Sequence, residues 1–362
     1  MNNKKITYIF GGGRKKKIEY KGEFAKDMFY GYFGLNEKYD VQIFETVKAD
    51  YKIYKFLAKL LNKLTGLGFH FENSLKKQDK KNIFESNEIF FGNQQILFSL
   101  FYLCPKLNRK KINVNVFAMG MVSGKNNFFT KILLRYLFKY IQRVIFISEA
   151  EYESAKERFS KFKDLFFYNP FGVDSKFWNK TLIDKNEENN FILFIGNDLN
   201  RDYLFLLKLI EEMPDLRFKI ISNRIVKNDF DFKNAEIING DWHSEEITDS
   251  KIREYYSSAF LTIIPLKNSI QPSGQSVCLQ SMLCETPVLI SKTEGFWNPN
   301  NLINNEHLFI QKTDIKLWKE TIYNLFQNEN LMIEIQQNAK KLVLSKYTVQ
   351  NFTKKLDDIL NN

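Results

Sequence analysis

The chain has 362 residues, of which 44% are hydrophobic and 26% are charged. This length exceeds one ordinary domain and suits two, and the apolar content excludes global disorder. Three scattered cysteines and three histidines show no disulfide or metal-ligand spacing, so we expect no metal site. Lys or Arg interrupts every apolar stretch, which argues against a membrane-spanning helix and predicts a soluble protein of a reducing compartment.

Charge is divided unequally along the chain. Residues 1–180 hold 33 Lys and Arg against 17 Asp and Glu, a net of +16, and residues 181–362 hold 20 against 25, a net of −5. The two values sum to the +11 of the whole chain. A basic first half indicates an anionic partner such as a membrane surface, a nucleic acid or an acidic acceptor.

Alternating strands and helices are predicted along the first half, the pattern of a parallel α/β sheet. The predicted strands are 6–10, 41–44, 88–91, 114–118, 144–148 and 165–168. The predicted helices are 23–32, 51–63, 94–102, 128–143 and 149–159.

A polar segment at 186–190 predicts a linker, after which the alternation starts again. Strands are predicted at 191–195, 217–222, 235–238, 260–265 and 287–291. Helices are predicted at 203–212 and 252–258, after Gly274, and from residue 315 nearly to the end. Two successive units of this kind predict two doubly wound, Rossmann-like domains that face each other across a cleft.

The segment 271–291 carries the most specific pattern. Ser273 is a good helix N-cap, and Gly274 lets the backbone approach a ligand closely. The backbone N–H groups of Gly274, Gln275 and Ser276 would then point out of a helix start, where an anion is favoured. The alternative is an ordinary capped helix that binds nothing.

This segment resembles the signature of the retaining family-four glycosyltransferases, through Gln280-Ser-Met-Leu-Cys-Glu-Thr-Pro-Val288. Other similar pieces follow in the expected order over residues 140–360, at 144–149, 169–174, 194–203 and 338–360. The resemblance implies the GT-B fold, an α/β arrangement of two Rossmann-like domains. It also implies an N-terminal acceptor domain at 1–178, a linker at 179–190, a donor domain at 191–345, and a helix at 346–362 that crosses back.

The resemblance further implies a nucleotide sugar, UDP- or GDP-linked, as co-substrate without another cofactor, and transfer with retention. The chain is a Ser-Gly-Gln variant, because both acidic positions of the family motif are absent. Gln280 stands at the second, which contacts the ribose in the family, and Gln271 or Pro272 stands near the first, which contacts the sugar. An amide at 280 can still bond a ribose hydroxyl.

Positive charge is needed where the diphosphate leaves, so we predict catalytic roles for Arg201 and Lys267. Glu294 is the third predicted catalytic residue, as a contact to the sugar. Each of the three has the alternative of a solvated loop charge. The predicted donor-binding residues are Gly196, Asn197, Arg224, Trp242, Ser273, Gly274, Gln275, Ser276 and Gln280. The predicted acceptor-side loop residues are Gly11, Gly12, Gly13 and Met119.

Two predicted helices of the first half carry a basic face beside an apolar one. No acidic residue occurs from Ile89 to Ser148, against nine Lys or Arg. This composition is typical of helices that lie on an anionic bilayer, although a solvated face over a core-packing stripe is the alternative. The predicted membrane face consists of Lys52, Lys55, Lys59, Lys63, Lys131, Arg135, Lys139 and Arg143.

The leading hypothesis is therefore a glycosyltransferase on the cytoplasmic side of the membrane, acting on a lipid or lipid-linked acceptor. We expect no nucleic-acid partner, since no nucleic-acid-binding module is recognisable. Three alternatives remain open: a soluble acceptor or an epimerase on the same fold, a catalytically dead scaffold, and a basic nucleic-acid-binding protein.

Overall fold

The computed structural model describes residues 4–48, 52–181, 190–225, 232–241 and 247–361. It contains two six-stranded sheets in which every strand pair is parallel. The strands of the first sheet are β1 (Lys5–Phe10), β2 (Asp40–Glu45), β5 (Glu88–Phe91), β6 (Asn113–Ala118), β7 (Arg143–Phe146) and β8 (Phe166–Tyr168). A small antiparallel pair consists of β3 (Val47–Lys48) and β4 (Asn73–Ser74).

The second sheet has the strand order that defines Rossmann folds. Its strands are β9 (Ile192–Ile195), β10 (Phe218–Ile221), β11 (Ala235–Ile238), β12 (Leu261–Ile264), β13 (Val288–Ser291) and β14 (Phe309–Gln311). They lie in the order β11-β10-β9-β12-β13-β14, and the first sheet has the order β2-β1-β5-β6-β7-β8. The order reverses between β9 and β12 in one sheet and between β1 and β5 in the other, and ligands bind at such switch points.

Helices cover the connections between strands. In the first half these are α1 (Arg14–Glu19), α2 (Tyr32–Asn36), α3 (Lys52–Thr65), α4 (Lys77–Asn82), α5 (Gln94–Leu100), α6 (Cys104–Arg109), α7 (Phe128–Phe138) and α8 (Glu149–Arg158). In the second half they are α9 (Tyr203–Glu211), α10 (Asp249–Ser258), α11 (Gln275–Leu283), α12 (Ile315–Gln327), α13 (Glu329–Lys346) and α14 (Val349–Asn361). Among the described residues, no helix is long and apolar enough to cross a membrane.

Both sheets are buried on their two faces, as parallel sheets covered by helices require. Strands β5, β9, β12 and β13 are buried along their whole length. One core cluster is continuous between the halves, since it includes Phe117 of β6, Ile290 of β13 and Phe352 of α14. Close packing therefore joins the two halves as well as stabilising each of them.

The chain crosses between the halves twice, and the crossings contact each other. One crossing follows β8, and the other joins α13 to α14. The Val173 N–H donates to the carbonyl of Tyr347 at 2.8 Å, and the Val349 N–H donates to the carbonyl of Val173 at 3.0 Å. Helix α14 then packs against α2 of the first half. The predicted domain limits stay predictions, and residues 182–189 of the linker lie outside the described ranges.

Two helix predictions in the first half were wrong. The predicted helix 23–32 is a single 3₁₀ turn at Asp27–Phe29, because Tyr30 and Gly31 have positive φ values of 47° and 83°. The helix predicted for 128–143 ends at Phe138. Arg143 instead begins β7, where its guanidinium lies 3.4 Å from the Glu88 carboxylate, so it is removed from the predicted membrane face.

Candidate functional site

A cleft separates the carboxyl ends of the two sheets, where the loops after β1 and β9 face each other. Gly12 and Gly13 follow β1, Gly196 and Asn197 follow β9, and all four line one cavity of about 440 Å³. A second cavity of about 230 Å³ shares Arg201 with it. Because both switch points open into this space, the fold offers a ligand position between the halves.

Arg201 is a buried cation in the wall common to both cavities. It is 3% exposed; its Nη1 donates to Ser273 Oγ at 3.3 Å and lies 3.4 Å from Oδ2 of Asp198. Its Nε has no partner among the described residues. A Cβ at Gly196 would lie 2.3 Å from that Nε, so glycine at 196 leaves room for the guanidinium. A charge held away from water interacts strongly with an anionic ligand.

Helix α11 begins at the cleft, and no side chain caps its first backbone N–H groups. Gly274 occupies the N-cap with φ of 81°, and a Cβ there would lie 2.7 Å from Ile264. Ser273, Gly274 and Ser276 line the smaller cavity together with Arg201. A helix start with free N–H groups favours an anion. The start of α11 and the Arg201 guanidinium therefore line the same cavity, and both favour an anionic ligand there.

The side chain of Gln275 serves the contact between the halves. Its Nε2 donates to the carbonyl of Ile147 at 2.9 Å, although the residue belongs to the second half and Ile147 to the first. Gln275 therefore lines the cleft, but the Nε2 of its side-chain amide already donates a hydrogen bond to the first half.

Asp27 is a buried carboxylate in the cleft lining that the sequence predictions missed. Its Oδ1 accepts the Asp174 N–H at 2.5 Å, and its Oδ2 accepts Trp178 Nε1 at 2.6 Å and Gln280 Nε2 at 2.8 Å. The pKa of Asp27 is raised from 3.8 to about 7, because the effect of burial exceeds the lowering effect of these three hydrogen-bond donors. Gln280, predicted to bind a ribose, thus bonds a carboxylate of the first half, and its Oε1 accepts from Tyr256.

The loop after β6 reaches the cleft at Met119, which lines the smaller cavity. Glu151 of α8 fixes this loop, because its two carboxylate oxygens accept the N–H groups of Gly120 at 2.9 Å and Val122 at 3.1 Å. Burial raises the pKa of Glu151 to about 7, while the backbone N–H groups lower it. The predicted acceptor-side loop is therefore held by a buried acid that sequence analysis did not identify.

Lys267 and Glu294 do not line either cavity of the cleft. Lys267 Nζ donates to the carbonyl of Leu199 at 3.4 Å, and Glu294 Oε1 accepts from Asn268 Nδ2 at 2.9 Å. Both side chains are bonded at the surface instead. Of the three predicted catalytic residues, the structure brings only Arg201 into the described lining.

Two other predicted residues, Arg224 and Gly11, also lie apart from the described lining. Arg224 is exposed, and its Nε donates to the carbonyl of Asn197 at 3.1 Å. Gly11 does not line either cavity, in contrast to the two glycines that follow it. Trp242 lies outside the described residues.

Basic residues of α1 line the cleft as well, and sequence analysis assigned them no role. Arg14 lines the larger cavity and donates from Nε to the carbonyl of Met28 at 3.1 Å. Lys17 forms an ion pair with Asp249 of the second half, at 2.6 Å from Oδ2. The available sequence signal was the basic run at 14–17, directly after the glycine-rich turn. These residues were overlooked because the first helix was predicted to start at residue 23.

Helices α3 and α7 lie side by side and leave their apolar side chains in solvent. Ile53 is 64% exposed, Phe56 66% and Phe128 71%, while only Ala58 and Thr65 of α3 are buried. A shallow pocket of about 300 Å³ between the helices has an almost wholly apolar lining. Of the basic residues predicted to form the membrane face, six are exposed: Lys52, Lys55, Lys59, Lys63, Arg135 and Lys139. Lys131 is half-buried, and Arg143 belongs to β7. We call this surface of α3 and α7 the basic apolar face.

Comparison with known proteins identifies the fold. Sucrose-phosphate synthase from Thermosynechococcus elongatus is similar with a TM-score of 0.71 and 12% identity, covering 99% of this chain and 98% of that chain. Anabaena HepE in complex with UDP-glucose gives 0.66 at 12% identity, with 99% of each chain covered. An alpha-glucosyltransferase in complex with UDP-glucose and DNA containing an abasic site gives 0.64 at 12% identity, with 100% of each chain covered.

Together with the two parallel six-stranded sheets, these similarities confirm the predicted fold class, GT-B. Identities this low establish the fold and leave the activity to the residues of the site. No protein-family model matches the chain, and no curated protein matches it. Among the described residues, no group of three His, Cys, Asp or Glu side chains could hold a metal ion.

Proposed function

We propose that the protein is a glycosyltransferase that moves a sugar from a UDP- or GDP-sugar to a lipid or membrane-linked acceptor, with retention. The observation that carries this proposal is the cleft in which buried Arg201, the start of α11 and the loops of both switch points meet. No other described cavity combines a buried cation with free helix amides.

The donor side of the proposal follows from where charge develops. Breaking the bond between the sugar and the diphosphate leaves negative charge on the phosphate oxygens. Arg201 and the N–H groups at the start of α11 are already oriented toward that space, so they stabilise the leaving group without reorganisation. Anabaena HepE, which has the same fold, was solved with UDP-glucose bound. Lys267, Glu294, Arg224 and Trp242 remain sequence predictions for the donor side.

The acceptor side of the proposal rests on the basic apolar face. Exposed Phe56 and Phe128 beside lysines match a surface that inserts apolar side chains into a bilayer while cations meet anionic headgroups. The face belongs to the first half, as does the acceptor-side loop that reaches the cleft at Met119. The membrane location and the retaining outcome are both part of the proposal, and retention rests on the family resemblance alone.

A nucleic-acid acceptor is the second candidate, because one protein of this fold was solved bound to DNA and the first half is strongly basic. The basic apolar face favours the lipid acceptor. Interfaces with nucleic acid are polar and positively charged, and the large exposed Phe and Ile side chains among these lysines do not fit that composition.

The test is nucleotide release from a panel of UDP-, GDP- and ADP-sugars, alone, with anionic vesicles, and with duplex DNA. We expect one donor to release nucleotide and the vesicles to stimulate release. Replacing Arg201 by Ala should lower the rate about 10²- to 10³-fold, the range found when a donor to developing charge is removed. The anomeric configuration of the product, read by NMR, decides retention.

The matched control is Arg217→Ala, which removes an exposed arginine that lines neither cavity of the cleft. Its rate should equal that of the wild type. Stimulation by DNA instead of vesicles would favour the second candidate. The absence of release from every donor would contradict an enzyme and favour a scaffold of the same fold.

A further inference from the structure

Helix α1 turns one side of its basic run to the cleft and the other side to solvent. Arg14 and Lys17 are half-buried and line the larger cavity, whereas Lys15 and Lys16 between them are exposed. Side chains three positions apart on a helix lie on the same face, so this spacing brings both residues to the cavity. The first half therefore contributes two cations to a space that Arg201 lines from the second half.

Two of the three cations in the described lining of the larger cavity are already paired with a carboxylate. Lys17 Nζ lies 2.6 Å from Oδ2 of Asp249, and Arg201 Nη1 lies 3.4 Å from Oδ2 of Asp198. Arg14 has no carboxylate within the distance of an ion pair among the residues that the structure describes. A bound anion can therefore pair with Arg14 without breaking an existing ion pair.

Uncharged groups hold the Arg14 side chain in place. Its Nε donates to the carbonyl of Met28 at 3.1 Å, and its Cζ lies 5.7 Å from the centre of the Phe10 ring and 5.8 Å from that of Phe29. The two Nη groups form no hydrogen bond with the described residues. Paired Nη donors match two oxygens of a phosphate group, and a guanidinium that is already positioned loses little freedom on binding one.

The charge of Arg14 also acts on the smaller cavity, where α11 begins. Tyr30 lines that cavity; burial raises the pKa of Tyr30, and the charge of Arg14 lowers it. Arg201 and Ser276 line both cavities, so the two spaces adjoin each other. An anion at the start of α11 is therefore attracted by cations of both halves.

We propose that Arg14 binds the diphosphate of the donor together with Arg201, so that each half of the protein contributes one arginine to the leaving group. This inference rests on the proposed transfer from a nucleotide sugar and adds to it a binding residue of the first half. Lys267, the second cation predicted from the sequence, lines neither cavity, and its Nζ donates to the carbonyl of Leu199. Arg14 provides a second arginine inside the described lining.

The position of Arg14 depends on how the two halves meet. Besides the ion pair of Lys17 with Asp249, the Ala25 N–H donates to the same carboxylate oxygen at 2.8 Å. These contacts hold the loop and helix after β1 against the second half, where Arg14 and Arg201 line one cavity. A diphosphate that contacts both arginines binds this arrangement better than one with the halves apart, so its binding stabilises the closed cleft.

The test is titration calorimetry of the full chain with UDP, GDP and inorganic pyrophosphate. We expect one nucleoside diphosphate to bind and Arg14→Gln to weaken its binding about 10- to 100-fold, the range for a lost hydrogen bond to a charged group. Arg14→Lys keeps the charge but loses the paired Nη groups, so its loss should be smaller. Binding of pyrophosphate should depend on Arg14 in the same way, because the proposed contact is to the phosphates alone.

The matched control is Lys15→Gln, which removes the same charge at the next residue of α1, where the side chain is exposed and lines neither cavity. It should bind like the wild type. Equal affinity of the wild type and Arg14→Gln for the nucleotide would overturn the role of Arg14 and leave the donor site at Arg201 standing. Equal losses in the two Gln variants would show a response to net charge and overturn that role as well.

The pyrophosphate measurement separates this inference from the proposed function. Binding of pyrophosphate that depends on Arg14, without binding of either nucleotide, would support the pair of arginines and contradict the nucleotide-sugar donor. Absence of binding by all three ligands would overturn both.

Discussion

Helices α3 and α14 have similar lengths and similar amphipathic sequences, but their apolar faces have opposite surroundings. Helix α14 buries Phe352, Leu356, Ile359 and Leu360. Phe352, Leu356 and Leu360 belong to the core cluster that includes residues of the first half. Helix α3 buries Ala58 and Thr65 and leaves Ile53 and Phe56 about two-thirds exposed.

The difference between the two helices shows what amphipathic periodicity establishes. A periodicity of 3.6 residues determines that a helix has an apolar face, and the neighbouring elements determine what covers that face. Helix α14 packs against α2. Helix α3 packs against α7, and Phe128 of α7 is itself exposed. Exposed apolar patches of this kind mark interaction surfaces, which is why the two helices should respond differently to the same substitutions.

The largest expected effect is on stability. Leu356→Ala should destabilise the protein by about 2–5 kcal/mol, because Leu356 is 0% exposed and packs tightly beside Gly31 of the loop before α2. Phe56→Ala on α3 should change stability by less than about 0.5 kcal/mol, as exposed substitutions do. Urea denaturation midpoints measure both. A large loss in Phe56→Ala would show that the face of α3 is part of a core.

A smaller effect is expected on membrane binding. Replacing Lys52, Lys59 and Lys63 by Gln should weaken binding to anionic vesicles about 100-fold, since each lysine near such a surface contributes about 1 kcal/mol. The control replaces the exposed Lys312, Lys341 and Lys354 of the second half by Gln and should bind like the wild type. Cosedimentation at low and high salt measures both. Equal losses in the two triple variants would indicate a response to net charge and contradict a specific face.

The smallest expected effect is on the pH dependence of stability, and it comes from a buried residue, Asp27. The pKa of Asp27 is raised from 3.8 to about 7 by burial, so the folded protein retains a proton that the unfolded chain loses. Its contribution to stability is present below about pH 4 and is lost as pH rises to about 7. The melting temperature of the wild type should therefore fall, relative to Asp27→Asn, as the pH rises from about 4 to about 7. As a control, the melting temperature of Phe56→Ala should depend on pH in the same way as that of the wild type. If the difference in melting temperature between the wild type and Asp27→Asn stayed constant over this pH range, the raised pKa of Asp27 would be contradicted.

Much of the fold could be predicted from the sequence because parallel strands are short, continuous apolar runs. The strands at 88–91, 144–146 and 192–195 and the helices of the tail lie where the pattern predicts them. The helix predicted at 23–32 failed because Tyr30 and Gly31 turn the backbone, and a residue other than glycine with positive φ leaves little signal in sequence.

Less of the candidate site could be predicted, because its members come from distant parts of the chain. Arg201, Gly196 and the start of α11 lie next to local motifs and could be found from sequence. Asp27 could not, since its partner Gln280 is 253 residues away and the contact exists only when the two halves are assembled.

The sequence by itself determined two parallel α/β units, a helix start suited to an anion, and a basic first half. These properties are local, because they depend on the order of residues along single strands, turns and helices. The tertiary structure alone decided that the apolar face of α3 is exposed, that Lys267 and Glu294 do not line the cleft, and that Asp27 does. Those outcomes depend on which surfaces meet when the halves pack, and close packing between distant segments leaves no periodic trace in the sequence.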